Sequence, residues 1–227
     1  MSARATRRPA PAVERARKTA GRPVTADDRT PACPRAATSE HATLRRRQIL
    51  DAAEDCFRRH GFHNTSMAEI AKSFGMSAGH IYNYFDSKEA IIAAIVERDL
   101  EDFMLRATAL QAADDIRAAM LARVEASVAD QLSTTRAARQ FEVLAEAGRN
   151  PAVAAMVQAA DDKVRTVIRD MLGRTRPDGH AGRDLDGKVT VLLALFEGLM
   201  VRGLRQSELQ RAQVTRVLRG VISEMLR

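Results

Sequence analysis

The stretch from Ser66 to Lys88, SMAEIAKSFGMSAGHIYNYFDSK, constrains the fold more than any other part of this chain. Ser66 stands three residues before Glu69, which is the spacing of a capping box at a helix N-terminus. Apolar residues then recur at helical spacing, at Met67, Ile70, Ala71 and Phe74. Gly75 follows them, so we expect a left-handed residue that closes this helix.

A second short helix is predicted directly after this turn. Ser77 is suited to cap it, and Ile81 and Phe85 stand four residues apart on a face that turns to the core. The remaining polar and aromatic side chains point elsewhere: His80, Tyr82, Asn83 and Tyr84. Two helices joined by a tight glycine turn are typical of a helix-turn-helix motif, whose second helix enters the major groove of DNA.

Three runs of residues in this region also resemble a known family. They are A-x-x-x-F-x-x-x-G-F from Ala53, T-S-M-x-x-I-A from Thr65, and S-x-G-x-I-Y-x-Y-F-x-S-K-E from Ser77. Over about residues 44–95 the chain is similar to the DNA-binding domain of the TetR family of bacterial transcriptional regulators. The resemblance implies an all-α protein, with an N-terminal three-helix helix-turn-helix domain followed by a helical ligand-binding and dimerisation domain.

Positive charge is concentrated before the first predicted helix. The chain carries a net charge of +7, yet residues 1–47 hold 12 basic and four acidic groups, against 24 and 25 in the remainder. Residues 1–40 also contain five of the seven prolines, so we expect a disordered basic arm. Such an arm either contacts DNA phosphates, or is a solvated tail, or reflects a start codon placed too far upstream.

The first helix is predicted from about Thr43 to His60 and ends at Gly61. Arg45, Arg46 and Arg47 crowd its first turn, where cations oppose the helix dipole. Nearby phosphates would offset that cost, and solvated charge is the alternative.

Further helices without strand signals are expected at about 88–108, 113–132, 134–148, 151–173, 187–205 and 210–226. We expect three segments: a disordered arm (1–40), a helix-turn-helix domain (41–88) and an effector-binding and dimerisation domain (89–227). No long apolar run or apolar signal-peptide core occurs, and with only Cys33 and Cys56 we expect a reducing cytoplasm. No catalytic motif or metal-ligand spacing is present, so we expect no enzyme, metal or cofactor.

DNA contacts are predicted around the second helix of the motif. Entry into the groove would expose Ser77, Ala78, Gly79, His80, Tyr82 and Asn83, while Asn83 and Tyr84 can donate to phosphates. The family resemblance implies groove-facing positions at Ala78, Gly79, His80 and Tyr82, and phosphate contacts at Thr65, Ser66, Asn83, Tyr84 and Lys88. Tyr84 could instead be a core residue, and His80 a solvated one.

The resemblance also places an effector pocket among the middle helices. Candidate lining residues are Phe103, Met104, Met120, Phe141, Met156, Met171, Phe196 and Met200. Pliable methionines suit such a cavity, although methionine at helical spacing is more often plain core. The run FEVLAEAGRNPAVAAMV resembles the ligand-domain helices of the BetI-like branch, but few aromatic residues are available for a cation cage.

The last two predicted helices carry broad apolar faces, more than a monomer would leave exposed. Candidate interface residues are Leu192, Phe196, Leu199, Val214, Val217, Leu218, Val221, Ile222 and Met225. The resemblance implies a homodimer through a four-helix bundle, and an intramolecular core is the alternative.

These features predict a ligand-responsive repressor that binds a palindromic operator as a dimer and is released by a small-molecule effector. An activator of the same fold, a non-specific architectural DNA-binding protein using the basic arm, and an interaction protein that has lost DNA regulation remain alternatives.

Overall fold

The computed structural model describes residues 34–175, 184–206 and 208–227, and in these ranges every regular element is an α-helix. The helices are α1 (Pro34–His60), α2 (Met67–Ser73), α3 (Ala78–Ile81), α4 (Lys88–Gln111), α5 (Ile116–Gln131), α6 (Thr134–Ala147), α7 (Pro151–Arg174), α8 (Leu185–Arg205) and α9 (Arg211–Met225). The predicted all-α fold is confirmed.

The first helix begins earlier than the sequence suggested. α1 starts at Pro34 instead of about Thr43, so residues 34–40 of the expected disordered arm are helical. Proline is tolerated in the first turn of a helix, because its missing N–H would have no partner there. Residues 1–33 of the arm lie outside the described residues, as do residues 176–183 of the predicted loop before α8.

Local signals set the helix ends as predicted. Gly61 and Gly75 both have a φ of 75°, in the left-handed region that favours glycine. Three later helices are capped by a side chain that accepts a hydrogen bond from a backbone N–H of the first turn. The caps are Ser87 at α4, Ser133 at α6 and Asn150 at α7.

The buried apolar side chains form two clusters. The head, which we define as α1–α3 with the first turns of α4, is centred on residues such as Ile49, Ile70 and Ile81, all fully buried. Val143 of α6 and Val153 of α7 belong to the same cluster. A second cluster fills the body, which comprises the rest of α4 and α5–α9.

Two helices connect head and body. α4 leaves the head and packs along α7, while α6 contacts α1 of the head and α7 and α8 of the body. α5 packs on α8 and α9. The position of the head therefore depends on how α4 and α6 sit against the body.

Candidate nucleic-acid interface and ligand cavity

The turn between α2 and α3 is built from local hydrogen bonds. Ser66 and Glu69 form the predicted capping box, and these bonds hold the pKa of the Glu69 carboxyl below its usual range. The N–H of Met76 donates to the carbonyl of Ala71 at 2.9 Å, which folds the chain back after Gly75. α2 and α3 are thus held in a fixed mutual geometry.

Two buried anchors determine which face of α3 points outward. Ile81 and Phe85 are buried in the head core, as predicted. The opposite side carries the exposed residues Ser77, Ala78, Gly79, His80, Tyr82 and Asn83. Tyr82 is 51% exposed, and a Cβ added at Gly79 would meet no atom within 4 Å. This face is open to a partner.

Three of the expected α3 contacts differ in detail. Ser77 occupies the N-cap position, but its side chain makes no capping hydrogen bond, contrary to expectation. Tyr84 is half-buried against the head core and its ring lies 5.8 Å from that of His80, so the core alternative holds in part. His80 also has a neighbour in Asn83, whose Nδ2 lies 3.3 Å from His80 Nδ1.

The arginines at positions 45–47 lie at the surface beside the motif. Arg46 donates to the carbonyl oxygen of Tyr84 at 3.0 Å and lies 4.3 Å from the ring centre of Phe85. Arg45 lies 5.6 Å from the ring centre of Phe74, and Arg47 is exposed. Arg45 and Arg46 are therefore positioned by contacts with the head, and all three arginines are exposed.

The side chains of Thr65, Ser66 and Lys88 make internal contacts. Thr65 is 1% exposed and its hydroxyl donates to the Gly61 carbonyl at 2.9 Å, so its side chain does not reach the surface as expected. The Ser66 hydroxyl is used in the capping box. The ammonium of Lys88 donates to the Phe62 carbonyl at 2.8 Å and lies 4.5 Å from the Phe62 ring centre. Each of them holds the motif in shape.

A cavity of about 920 Å³ lies between α4, α5, α6, α7 and α8. Its size is within the range of small-molecule sites. Six of the eight predicted residues line it: Phe103, Met120, Phe141, Met171, Phe196 and Met200. Met104 and Met156 do not, because they lie on the outer sides of α4 and α7, where they are exposed. Periodicity alone did not separate these outer positions from inner ones.

The cavity wall also contains charged side chains, which the apolar pattern of the sequence did not indicate. Arg106, Arg123 and Arg136 line it from α4, α5 and α6. Burial lowers the pKa of Arg106, and the nearby charges of Arg136 and Arg123 lower it further. Elsewhere in the wall, burial raises the pKa of the Glu197 carboxyl, and Asp161 adds to this. The sequence signal that could have identified the arginines is a long basic side chain at a helix position that faces inward.

α6 joins the cavity wall to the head. Its Phe141 and Leu144 line the cavity. On the other side, Glu142 Oε2 accepts the N–H of Phe62 at 3.1 Å, and buried Glu146 lies 3.2 Å from His63 Nε2. One helix thus contacts both sites.

Arg139 of α6 adds an ion-pair cluster to this junction. It bonds to Glu54 of α1 at 3.2 Å and to Asp99 of α4 at 2.9 Å, while Arg98 of α4 pairs with Glu54 as well. Burial raises the pKa of the Glu54 carboxyl, against the opposing effect of Arg139 and Arg98. α1, α4 and α6 meet in this cluster.

The predicted interface residues of α8 and α9 fall into two groups. Leu192, Leu218 and Ile222 are buried within the same chain, so they belong to its own core and not to a surface for a second copy. Phe196, Leu199, Val214 and Met225 are half-buried against that core. Val217 and Val221 are exposed, and Val191, which was not predicted, is exposed with them.

Two kinds of feature are absent from the described parts of the chain. No group of three His, Cys, Asp or Glu side chains there is placed to hold a metal ion. No helix there is long and apolar enough to cross a membrane.

Comparison with known proteins agrees with this two-part architecture. Residues 49–95 match the family model for bacterial regulatory proteins of the tetR family, and residues 116–227 match the C-terminal model of BetI-type transcriptional repressors. The transcriptional regulator UidR of Escherichia coli K12 is 30% identical over 188 residues, which cover 80% of this chain and 92% of UidR. BetI of Agrobacterium fabrum is 29% identical over 161 residues, covering 70% and 76%.

Among solved structures, GusR of Salmonella enterica superimposes with a TM-score of 0.65 at 27% identity, covering 80% of this chain and 94% of that one. A helix-turn-helix head on a helical body with an internal cavity is the architecture of a one-component DNA-binding regulator. The chain belongs to the TetR family of bacterial transcriptional regulators, as its motifs predicted.

Proposed function

We propose that this regulator represses transcription by binding a palindromic operator as a homodimer, and that a small molecule in the cavity releases it. Residues 41–88 form the DNA-binding domain in this proposal, and residues 89–227 bind the effector and the second copy. The observation that carries it is the outward face of α3, which is exposed while Ile81 and Phe85 fix the helix from behind.

In this proposal α3 and the residues that flank it approach base edges and the adjoining backbone, through Ser77, Ala78, Gly79, His80, Tyr82 and Asn83. Arg45, Arg46 and Arg47 contribute phosphate contacts at the rim, together with Tyr84. Lys88 and Ser66 act by holding the motif, since their polar groups already have partners within the head.

Release is explained by the contacts of α6, which lines the cavity and also touches the head. An effector that contacts Phe141 and Leu144 acts on the helix that also holds Phe62 and Glu54 of the head. A ligand shifts an equilibrium only by its differential affinity for the two states. The effector therefore binds better to an arrangement of α6 and α4 in which the two heads no longer match the operator.

Dimerisation is supported by the exposed apolar residues Val191 of α8 and Val217 and Val221 of α9. One motif makes a small contact with DNA, whereas two related by a two-fold axis span half-sites about 34 Å apart.

The test is selection from a random pool of double-stranded DNA, followed by gel-shift measurements on the enriched sequence. We expect an inverted repeat, with affinity that falls steeply as salt rises. Tyr82→Ala should weaken binding, while Leu105→Ala, which trims an exposed side chain of α4 in the body, should not. Equal affinity for random DNA would contradict the proposal and favour an architectural role.

A further inference from the structure

The arginines of the cavity wall have few partners of their own. Arg123 pairs with Asp130 at 3.1 Å. Among the described residues, the side chains of Arg106 and Arg136 have no ion pair or hydrogen bond. Both are half-buried beside the cavity. Half-buried guanidinium groups without a hydrogen-bonded carboxylate are unfavourable, since they lose water without gaining an acceptor.

The three cations also act on one another. The lowering of the Arg106 pKa by Arg136 and Arg123 is opposed only in part by Asp130 and Asp102. α4, α5 and α6 therefore bring a net positive group to one part of the wall. An anion in the cavity would offset both the repulsion and the loss of solvation.

The other carboxyls of the wall do not neutralise this group. Asp99 is paired with Arg139 at 2.9 Å, and Asp161, Asp162 and Glu197 lie on α7 and α8. Burial and the nearby charge of Asp161 of α7 raise the pKa of the Glu197 carboxyl of α8, and neither residue is among the groups that shift the pKa of Arg106. An anion is disfavoured beside these two carboxyls. An anion is favoured beside the arginines, so the charges of the wall would orient a bound ligand with its anionic end towards them.

Apolar side chains make up much of the remaining wall, including Phe103, Phe141 and Phe196. We propose that the effector is an amphipathic anion, whose carboxylate or phosphate group is bound by Arg106, Arg136 and Arg123 and whose apolar part lies against the phenylalanines. The inference rests on the proposed role of the cavity as an effector site, and it names the class of effector.

The test compares four probes that share a ten-carbon chain and differ in the head group: decanoate, decyl phosphate, 1-decanol and decyltrimethylammonium. Each is titrated into the DNA-free full-length protein by calorimetry, below its micelle concentration. We expect at least one anion to bind about tenfold or more tightly than the alcohol and the cation, because a charge-assisted hydrogen bond contributes that much. The tighter anion identifies the head group.

Variants of the arginines give the second readout. Arg106→Gln and Arg136→Gln should each weaken the binding of the anion about tenfold and leave 1-decanol unaffected. Arg106→Lys should keep part of the preference, because it keeps the charge and loses the planar fork. Arg205→Gln, at an exposed position of α8 outside the cavity, is the matched control. Circular dichroism checks folding. If Arg106→Gln misfolds, the single variants Arg136→Gln and Arg106→Lys still provide the test.

The inference is overturned if no anion binds, if the alcohol or the cation binds as tightly, or if the arginine variants leave the affinity for the anion unchanged. A parallel gel-shift assay separates it from the proposed function. Binding of an anion without release of DNA would contradict the proposed ligand response but would still support an anion site in the cavity. Release of DNA by decyltrimethylammonium alone would support the proposed ligand response and overturn the anionic class of effector.

Discussion

At the scale of single residues, two serines at helix N-termini have different environments. Ser66 accepts the N–H of Glu69 at 3.2 Å, while the Glu69 carboxylate accepts the N–H of Ser66 at 2.6 Å. Ser77 is at the corresponding position of α3, without a capping hydrogen bond and exposed beside the groove-facing residues. The first serine stabilises the motif, and the second is available to a partner.

Ser66→Ala should therefore lower the free energy of unfolding by about 1 kcal/mol, because the N-terminus of α2 loses its cap. Ser77→Ala should change that free energy by less than about 0.5 kcal/mol, and its effect should fall on DNA affinity. Urea denaturation and a gel-shift assay on both variants separate the two roles. Equal losses of stability would contradict this assignment.

Lys88 and Arg47 form a second contrast. Lys88→Met removes the hydrogen bond to the Phe62 carbonyl, so we expect a loss of about 1 kcal/mol in unfolding free energy. Arg47→Gln should leave stability unchanged and reduce the salt dependence of DNA binding by about one unit of slope. Thermal unfolding and salt titrations of the two variants measure this. A stability loss confined to Arg47→Gln would show that the roles are reversed.

The sequence predicted the local features at this scale and missed the distant ones. The capping box and the two left-handed glycines depend on neighbours within four residues, so their spacing was sufficient. The contacts of Lys88 with Phe62 and of Arg46 with Tyr84 join residues 26 and 38 positions apart. Their geometry follows from the packing of α1 and α4, which spacing along the chain does not contain.

At the scale of elements, α6 is the helix on which both sites depend. It places apolar side chains in the cavity wall and acceptors on the head. Its glutamates at 142 and 146 hold a turn that lies 80 residues earlier in the chain. Rotation of this helix would change both surfaces together.

Glu142→Ala should loosen that turn, because the N–H of Phe62 loses its acceptor. Hydrogen exchange of the Phe62 amide should become about tenfold faster, which corresponds to about 1.4 kcal/mol of local opening. Glu125→Ala, at an exposed position of α5, should leave that amide unaffected. Unchanged exchange in both variants would show that α6 does not hold the head.

Helix existence was well predicted, because apolar periodicity, caps and glycines act within each element. The sides of the helices were predicted less well. Leu192 and Val217 both lie in apolar stripes, yet the first is buried in its own chain and the second is 63% exposed. Periodicity reports an apolar face, and only the packing of neighbouring helices decides what covers it.

At the scale of the whole molecule, the exposed apolar residues of α8 and α9 argue for a second copy. Val217→Asp should weaken self-association by about two orders of magnitude, because each copy would bury an unpaired carboxylate. Leu105→Asp, at an exposed position of α4, should leave self-association unchanged. Sedimentation equilibrium of both variants tests this. A Val217→Asp protein that remains as dimeric as the wild type would place the interface elsewhere.

The sharing of Val143 and Val153 with the core of the head has a consequence for modularity. Although the proposed DNA-reading residues occupy a short segment, their hydrophobic support is completed by side chains that come 60 to 76 residues later in the chain. A hybrid regulator that joins this head to a foreign body would leave a gap where the two valines sit. A functional exchange of specificity must therefore transplant the matching surface of α6 and α7, so the natural unit of recombination is larger than the unit that reads DNA.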